Sequence, residues 1–172
     1  MVGRKGHGKS SLVKQRIQHE DRLIIRDPRK EYRQGVIFTS FLDLMQELER
    51  EPKTFQCICR FEDPEDDDSL LAFVRDFRNI TFVAEEVDEI CKPQSVHPDF
   101  EWMLKYGRHY GIDVYAVSRR PAETNVMLRS QADTIISFKQ SEPADLEYLA
   151  KRGFDPAQLK SLEKFQFVTV TT

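Results

Sequence analysis

Cysteine is nearly missing from this chain: Cys57, Cys59 and Cys91 are all there are among 172 residues. So few, at such irregular spacing, they exclude a disulfide framework and a four-ligand zinc site. Cys57 and Cys59 alternate along an expected strand, so both face one side as buried thiols. Long apolar runs are lacking, and nothing resembles a signal peptide. The expectation is a cytoplasmic protein with no membrane segment. Neither sign of charge dominates, since 26 Lys and Arg stand against 29 Asp and Glu for a net −3. That excludes a global basic field, so any nucleic acid has to be met by a local patch. No internal repeat and no linker divide the chain, which is expected to be one domain over residues 1–172. Its 40% apolar residues, twelve Phe among them, supply an ordinary core. A chain of this size buries roughly 70% of its unfolded surface.

What is present begins at the amino-terminal end. Gly3-Arg4-Lys5-Gly6-His7-Gly8-Lys9-Ser10 satisfies the phosphate-loop (Walker A) pattern G-x-x-x-x-G-K-[ST]. By average residue usage, the odds of a chance match in a chain this long are on the order of one per cent. Glycines let the backbone curl so that its N–H groups point at phosphate oxygens. Lys9 brings a charge to the terminal phosphates, and the Ser10 hydroxyl is placed to hold Mg²⁺. From Ser11 to Ile17 the chain reads as a helix, with Leu12, Val13 and Ile17 apolar and its positive dipole end toward the phosphates.

Downstream, apolar runs alternate with helical patterns. Arg22–Arg26 reads as a strand closed by Asp27-Pro28, and Gly35–Phe38 as another. Helical spacing runs from Phe41 to Glu51, where Pro52 stops it. Phe55–Phe61 is a strand, and the acidic run from Glu62 to Asp68 is expected as a solvated loop, with a metal site as the alternative. A helix over Leu70–Phe77, capped by Asp68 or Ser69, leads to Ile80–Ala84, an apolar run of the kind buried on both faces. Asp99–Tyr110 is helical, Ile112–Val117 a strand, and Pro121 opens a helix to about Ser130. Thr134–Phe138 is a strand, Pro143–Lys151 and Asp155–Leu162 are helices, and Phe165–Val170 is a last strand. This order implies an α/β three-layer sandwich around a mainly parallel sheet.

Two further constellations carry chemistry. Phe82-Val83-Ala84-Glu85-Glu86 is an apolar strand ending in two carboxylates, the form of a Walker B element; the alternative is a strand end capped by two solvated acids. At the C-terminal edge of a parallel sheet both acids sit beside the phosphate site. Glu85 is expected in the Mg²⁺ shell, through water, and Glu86 to orient or deprotonate the attacking water. Asp88 and Glu89 are the fallback candidates. Ser118-Arg119-Arg120-Pro121 follows a strand expected to insert between the phosphate-loop strand and the acidic one. Arg119 or Arg120 could sense the γ-phosphate, act as a finger across a subunit boundary, or simply pair with surface acids. Arg129 is a weaker candidate. No N-K-x-D guanine motif and no arginine-rich lid are found, which argues against a GTPase or a small-molecule kinase.

With these elements in hand, the chain resembles the FtsK/HerA-like branch of P-loop ATPases, which includes DNA pumps and viral genome-packaging ATPases. The resemblance rests on Gly3–Ser11, on Asp27-Pro28 with Tyr32 beyond, and on Glu85-Glu86-Val87-Asp88-Glu89. Ser118–Pro121 and Ser130-Gln131-Ala132-Asp133 complete it. It implies a P-loop NTPase (RecA/ASCE-like) core, ATP with Mg²⁺ between subunits of a hexameric ring, and double-stranded DNA in the channel. The leading expectation is an ATPase that moves DNA, in a viral or mobile-element packaging setting, hence in host cytoplasm if the chain is viral. Arg26, Arg29, Lys30 and Arg33 could line the channel or form a solvated turn. The alternative is a nucleotide-dependent assembly module with weak or no hydrolysis. Three features depart from the pattern: the strand before the loop is only Met1-Val2, Glu85 stands where Asp is usual, and Arg119 where many relatives carry a polar amide.

Overall fold

A computed structural model describes residues 1–50 and 52–171. Beyond the phosphate loop, α1 (Lys9–Ile17) leads to β1 (Arg22–Arg26), then β2 (Val36–Phe38), α2 (Phe41–Leu48), β3 (Phe55–Cys59), α3 (Pro64–Asp76) and β4 (Ile80–Ala84). A small hairpin of β5 (Cys91–Lys92) and β6 (Ser95–Val96) precedes α4 (Pro98–Tyr106) and β7 (Ile112–Ala116). The order closes with α5 (Val126–Gln131), β8 (Thr134–Ser137), α6 (Pro143–Ala150), α7 (Pro156–Ser161) and β9 (Val168–Thr171).

Five strands form one parallel sheet in the order β2-β3-β1-β4-β7. The period-two alternation of strand side chains sorts the core into two layers. Leu23 and Ile25 of β1 and Val83 of β4 meet Val13 and Ile17 of α1 on one face. Ile24 of β1 and Phe82 of β4 turn to the other face, against Leu44, Leu70, Val74, Phe100 and Met103 from α2, α3 and α4. Every residue of β4 is buried, as expected for a strand covered on both sides. A fully buried side chain of this size is worth about 1.5–3 kcal/mol, so these layers hold the helices in place.

Met1-Val2 supplies the strand before the loop in its shortest form. Val2 bridges Ser118 on one side and Ser137 on the other, both in parallel sense. Its N–H donates to the Ile136 carbonyl (2.9 Å), and its carbonyl accepts from Phe138 N–H (2.9 Å). The segment therefore sits between β7 and β8, and β7 lies between it and β4, the strand order expected from the sequence. A cavity of about 500 Å³, lined by Val114, Ile135 and Tyr148 among others, opens behind this short segment. β9 adds to β8 antiparallel, over a third apolar cluster with Leu146, Leu149 and Leu159 of α6 and α7.

Several expected boundaries move. The acidic run is not a loop: α3 starts inside it at Pro64, with the Asp63 carboxylate accepting from Glu65 N–H (3.0 Å) as its cap. Proline fits a first helical turn, and Glu65, Asp66 and Asp67 are stabilised there by the helix dipole. Nor do these acids gather as metal ligands among the described residues. The helix expected from Pro121 is a single 3₁₀ turn over Pro121–Glu123, and α5 begins anew at Val126 with Asn125 as its cap. The helix expected to Tyr110 ends as α4 at Tyr106 and continues as a 3₁₀ turn before Gly111. α2 ends at Leu48, and Glu51, the expected end, lies outside the described residues. β9 starts at Val168, not Phe165, because the chain first turns against the phosphate loop. No helix among the described residues is long and apolar enough to cross a membrane.

Candidate functional site

The loop from Gly3 to Ser10 joins the Met1-Val2 segment to α1. Gly3 (φ +145°) packs so closely on Phe138 that a Cβ there would come within 2.6 Å of the Phe138 Cβ. Gly8 (φ +106°) starts α1 in a left-handed conformation open to glycine. Arg4, Lys5 and Gly6 form the exposed crest, and His7 turns its Nδ1 to the Lys5 carbonyl (3.2 Å). Ser10 is half-buried, and Ser11 is exposed on the first turn of α1. That turn holds no acid, so nothing there opposes an anion at the helix end.

Lys9 folds back across its own loop. Its Nζ donates to the Gly3 carbonyl (2.7 Å) and to the Arg4 carbonyl (3.2 Å). Burial pushes the Lys9 pKa down, while the Glu85 and Glu86 carboxylates pull it back up. The loop lysine thus feels the charge of the acidic strand end.

Glu85 is buried at the end of β4. Burial raises its pKa, opposed by the Tyr32 and Ser10 hydroxyls within hydrogen-bonding reach and by the Lys9 charge. The Tyr32 hydroxyl donates to Glu85 Oε1 at 2.8 Å. Tyr32 is itself fixed by Asp27, fully buried, whose carboxylate accepts from Glu31 N–H (2.7 Å) and Tyr32 N–H (3.1 Å). Arg60 closes this cluster, pairing with Asp27 (3.0 Å) and donating to the Tyr32 carbonyl. The Ser10 hydroxyl and the Glu85 carboxylate are hard oxygen donors brought together by the fold, a set that fits Mg²⁺.

Glu86 is left-handed (φ 47°), which turns the chain back so that Val87 N–H reaches the Val117 carbonyl (2.9 Å). Its carboxylate accepts from Arg119 Nη2 at 2.7 Å, with Arg29 Nε at 3.9 Å. The two arginines after β7 part company. Arg119 faces the acidic strand end, whereas Arg120 pairs with fully buried Asp145 (3.1 Å) and with Glu123 (2.5 Å). Arg120 thus ties the end of β7 to α6 and corresponds to the pairing alternative, with one buried acid and one surface acid. Arg129 stacks over the Tyr148 ring, 4.6 Å from its centroid. Asp88 accepts from the Ser118 hydroxyl (3.1 Å), and Glu89 holds Arg26 (2.7 Å) and Arg29 (3.2 Å).

Arg26 is a correction. Expected either to line a channel or to sit in a solvated turn, it does neither: it is buried on β1, clamped by Asp67 (2.6 Å) and Glu89, and donates to the Glu85 carbonyl (3.0 Å). Desolvating a guanidinium is costly, so only two carboxylates make its position tolerable. Arg29, Lys30 and Arg33 remain exposed. Sequence reading also missed the roles of Asp27, Tyr32 and Arg60. Asp27-Pro28 and Tyr32 stood out by resemblance, but Arg60 gave no signal, because its partners lie 28 and 33 positions away.

A parallel sheet with a glycine-rich loop before α1, a buried acidic strand end beside it and an extra strand between the two defines a P-loop NTPase fold. The sequence matches no known protein-family model and no curated protein. In structure it is similar to the genome packaging NTPase B204 from Sulfolobus turreted icosahedral virus 2, in complex with AMPPCP. The TM-score is 0.81 at 24% identity, over 99% of this chain and 89% of that one. B204, the DNA-packaging ATPase from Sulfolobus turreted icosahedral virus, gives 0.73 at 21% identity over the same shares. The N-terminal domain of zonular occludens toxin from Neisseria meningitidis gives 0.53 at 13%, over 81% of this chain and 75% of that one. The likeness is one of fold.

Proposed function

We propose that this chain is a Mg²⁺-dependent ATPase that couples hydrolysis to movement of double-stranded DNA, in the packaging of a viral or mobile-element genome. The observation that carries this reading is a phosphate loop with Lys9 folded onto its carbonyls, in one sheet with the buried acidic end of β4, where Glu86 meets Arg119 from the strand between them. The backbone of Gly3–Ser11 cradles the phosphates, and Lys9 exchanges its carbonyl partners for phosphate oxygens. Ser10 and Glu85 would hold Mg²⁺, which when bound neutralises charge on the β- and γ-phosphate oxygens. Glu86 orients or deprotonates the attacking water, and Arg119 senses the γ-phosphate from the end of β7 or reaches a neighbouring subunit. Fold similarity to viral packaging NTPases supports the packaging setting, while a hexameric ring with DNA in its channel, in host cytoplasm, follows from the resemblance to FtsK/HerA-like ATPases. Exposed Arg29, Lys30 and Arg33 are the phosphate-contact candidates that remain.

The test is ATP turnover with and without duplex DNA across a salt series, on preparations sized by light scattering. DNA-stimulated turnover that falls steeply with salt is the expected result. Turnover indifferent to duplex removes translocation. Binding without turnover, together with ATP-dependent assembly, replaces the motor by an assembly module.

A further inference from the structure

After α7 the chain comes back to the phosphate loop before it forms β9. Phe165 N–H donates to the His7 carbonyl at 3.0 Å, so the backbone here is fastened to the loop itself. The Phe165 ring lies over Gly8, where a Cβ would come within 2.6 Å of its Cδ1. Phe165 holds φ +69°, a conformation that a bulky residue adopts only at a cost. Yet the ring stays 57% exposed, too open for burial in the core to explain its placement. Lys164 Nζ stands 5.0 Å from the ring centroid. Phe167, also partly exposed, packs on Phe138 (5.5 Å), the residue that supports Gly3.

Direction decides what such a ring can meet. Glu85, Glu86 and Arg119 stand at the ends of β4 and β7, on one flank of Met1-Val2. Phe165 precedes β9, which with β8 forms the opposite flank. A triphosphate with its terminal phosphate toward Glu86 has to carry its nucleoside out of the loop on the Phe165 side. We infer that Phe165 is the stacking platform for the base of the bound nucleotide, with Lys164 and Phe167 at its edges. This deepens the ATPase reading and rests on it. An aromatic face held in place needs no reordering when the base arrives, and its π-face suits the planar adenine ring.

Calorimetry with two probes, Mg·ATP and Mg·tripolyphosphate, separates the base from the phosphates. For Phe165→Ala the affinity for ATP is expected to fall about tenfold while that for tripolyphosphate stays within about twofold, the scale of one lost base–aromatic stack. Phe165→Trp is expected to restore ATP binding, and its added emission, beside that of the single native Trp102, to change with ATP but not with tripolyphosphate. Unchanged ATP affinity in Phe165→Ala overturns the platform, and so does an equal loss for both probes, which makes Phe165 a prop for Gly8. A native chain that binds ATP no more tightly than tripolyphosphate overturns the platform alone. One that binds neither overturns the triphosphate reading and the platform with it.

Discussion

Arg119 and Glu86 face each other across the ends of two adjacent strands, Nη2 to Oε1 at 2.7 Å, and join β7 to the acidic end of β4. The arginine side chain is 44% exposed. Glu86 is only 14% exposed, so the pair is open to solvent on the arginine side alone, and a guanidinium gains more on a doubly charged phosphate in a closed site. In the proposed ATPase, Arg119 would leave Glu86 for the γ-phosphate and release the carboxylate toward water. Without nucleotide, the same pair keeps the carboxylate occupied.

Two substitutions divide these roles. Glu86→Gln should retain ATP binding while kcat falls about 10²-fold or more, the scale of a positioned base. Arg119→Ala should likewise retain binding and lower kcat about 10²- to 10³-fold, as for a lost transition-state donor. Steady-state kinetics with binding measured separately checks both. Turnover surviving in Glu86→Gln moves the role to Asp88 or Glu89.

Lys9→Ala should abolish binding of triphosphate. The amine already lies within its loop on the carbonyls of Gly3 and Arg4, so its removal takes away a charge held at the loop itself. Calorimetry is the measurement, and unchanged affinity counts against the loop.

Tyr32→Phe removes the hydroxyl that donates to Glu85 and leaves a buried carboxylate short of a partner. The expected loss of stability is about 1–3 kcal/mol, read from urea unfolding. A neutral result would mean that Ser10 and Lys9 hold Glu85 without help.

Glu85 also sets a pH dependence. Its folded-state pKa is raised, chiefly by burial, so the native chain holds this proton more tightly than the unfolded chain. Stability from this group is complete below the ordinary carboxylate range and is lost as pH rises through the raised value. In EDTA and without nucleotide, Glu85→Gln should therefore raise Tm at pH 7 and lose that advantage toward pH 4. Thermal unfolding that shows the variant less stable at pH 7 contradicts this.

Much of this was legible in order along the chain. Gly3, Gly8, Lys9 and Ser10 are a local pattern, and Ile80–Ala84 declares its burial by an unbroken apolar run. The position of β7 beside the loop strand also followed, because parallel strands with helical crossovers leave few topologies. The start of α3 did not follow, although its signals are local. Asp63 and Pro64 open a helix, but a dense run of acids is as common in a solvated loop, so composition there points away from it.

The sequence by itself determined the phosphate loop, the alternation of strands and helices, and the acidic end of β4, since each depends on neighbours a few residues apart. Only the tertiary structure decided which arginine meets Glu86, why Arg26 is unavailable to DNA, and that Tyr32 braces Glu85. Those pairs span 33, 41 to 63, and 53 positions. Which charges meet over such separations is fixed by strand order and register. In a buried site, every carboxylate or guanidinium left without its partner costs several kcal/mol.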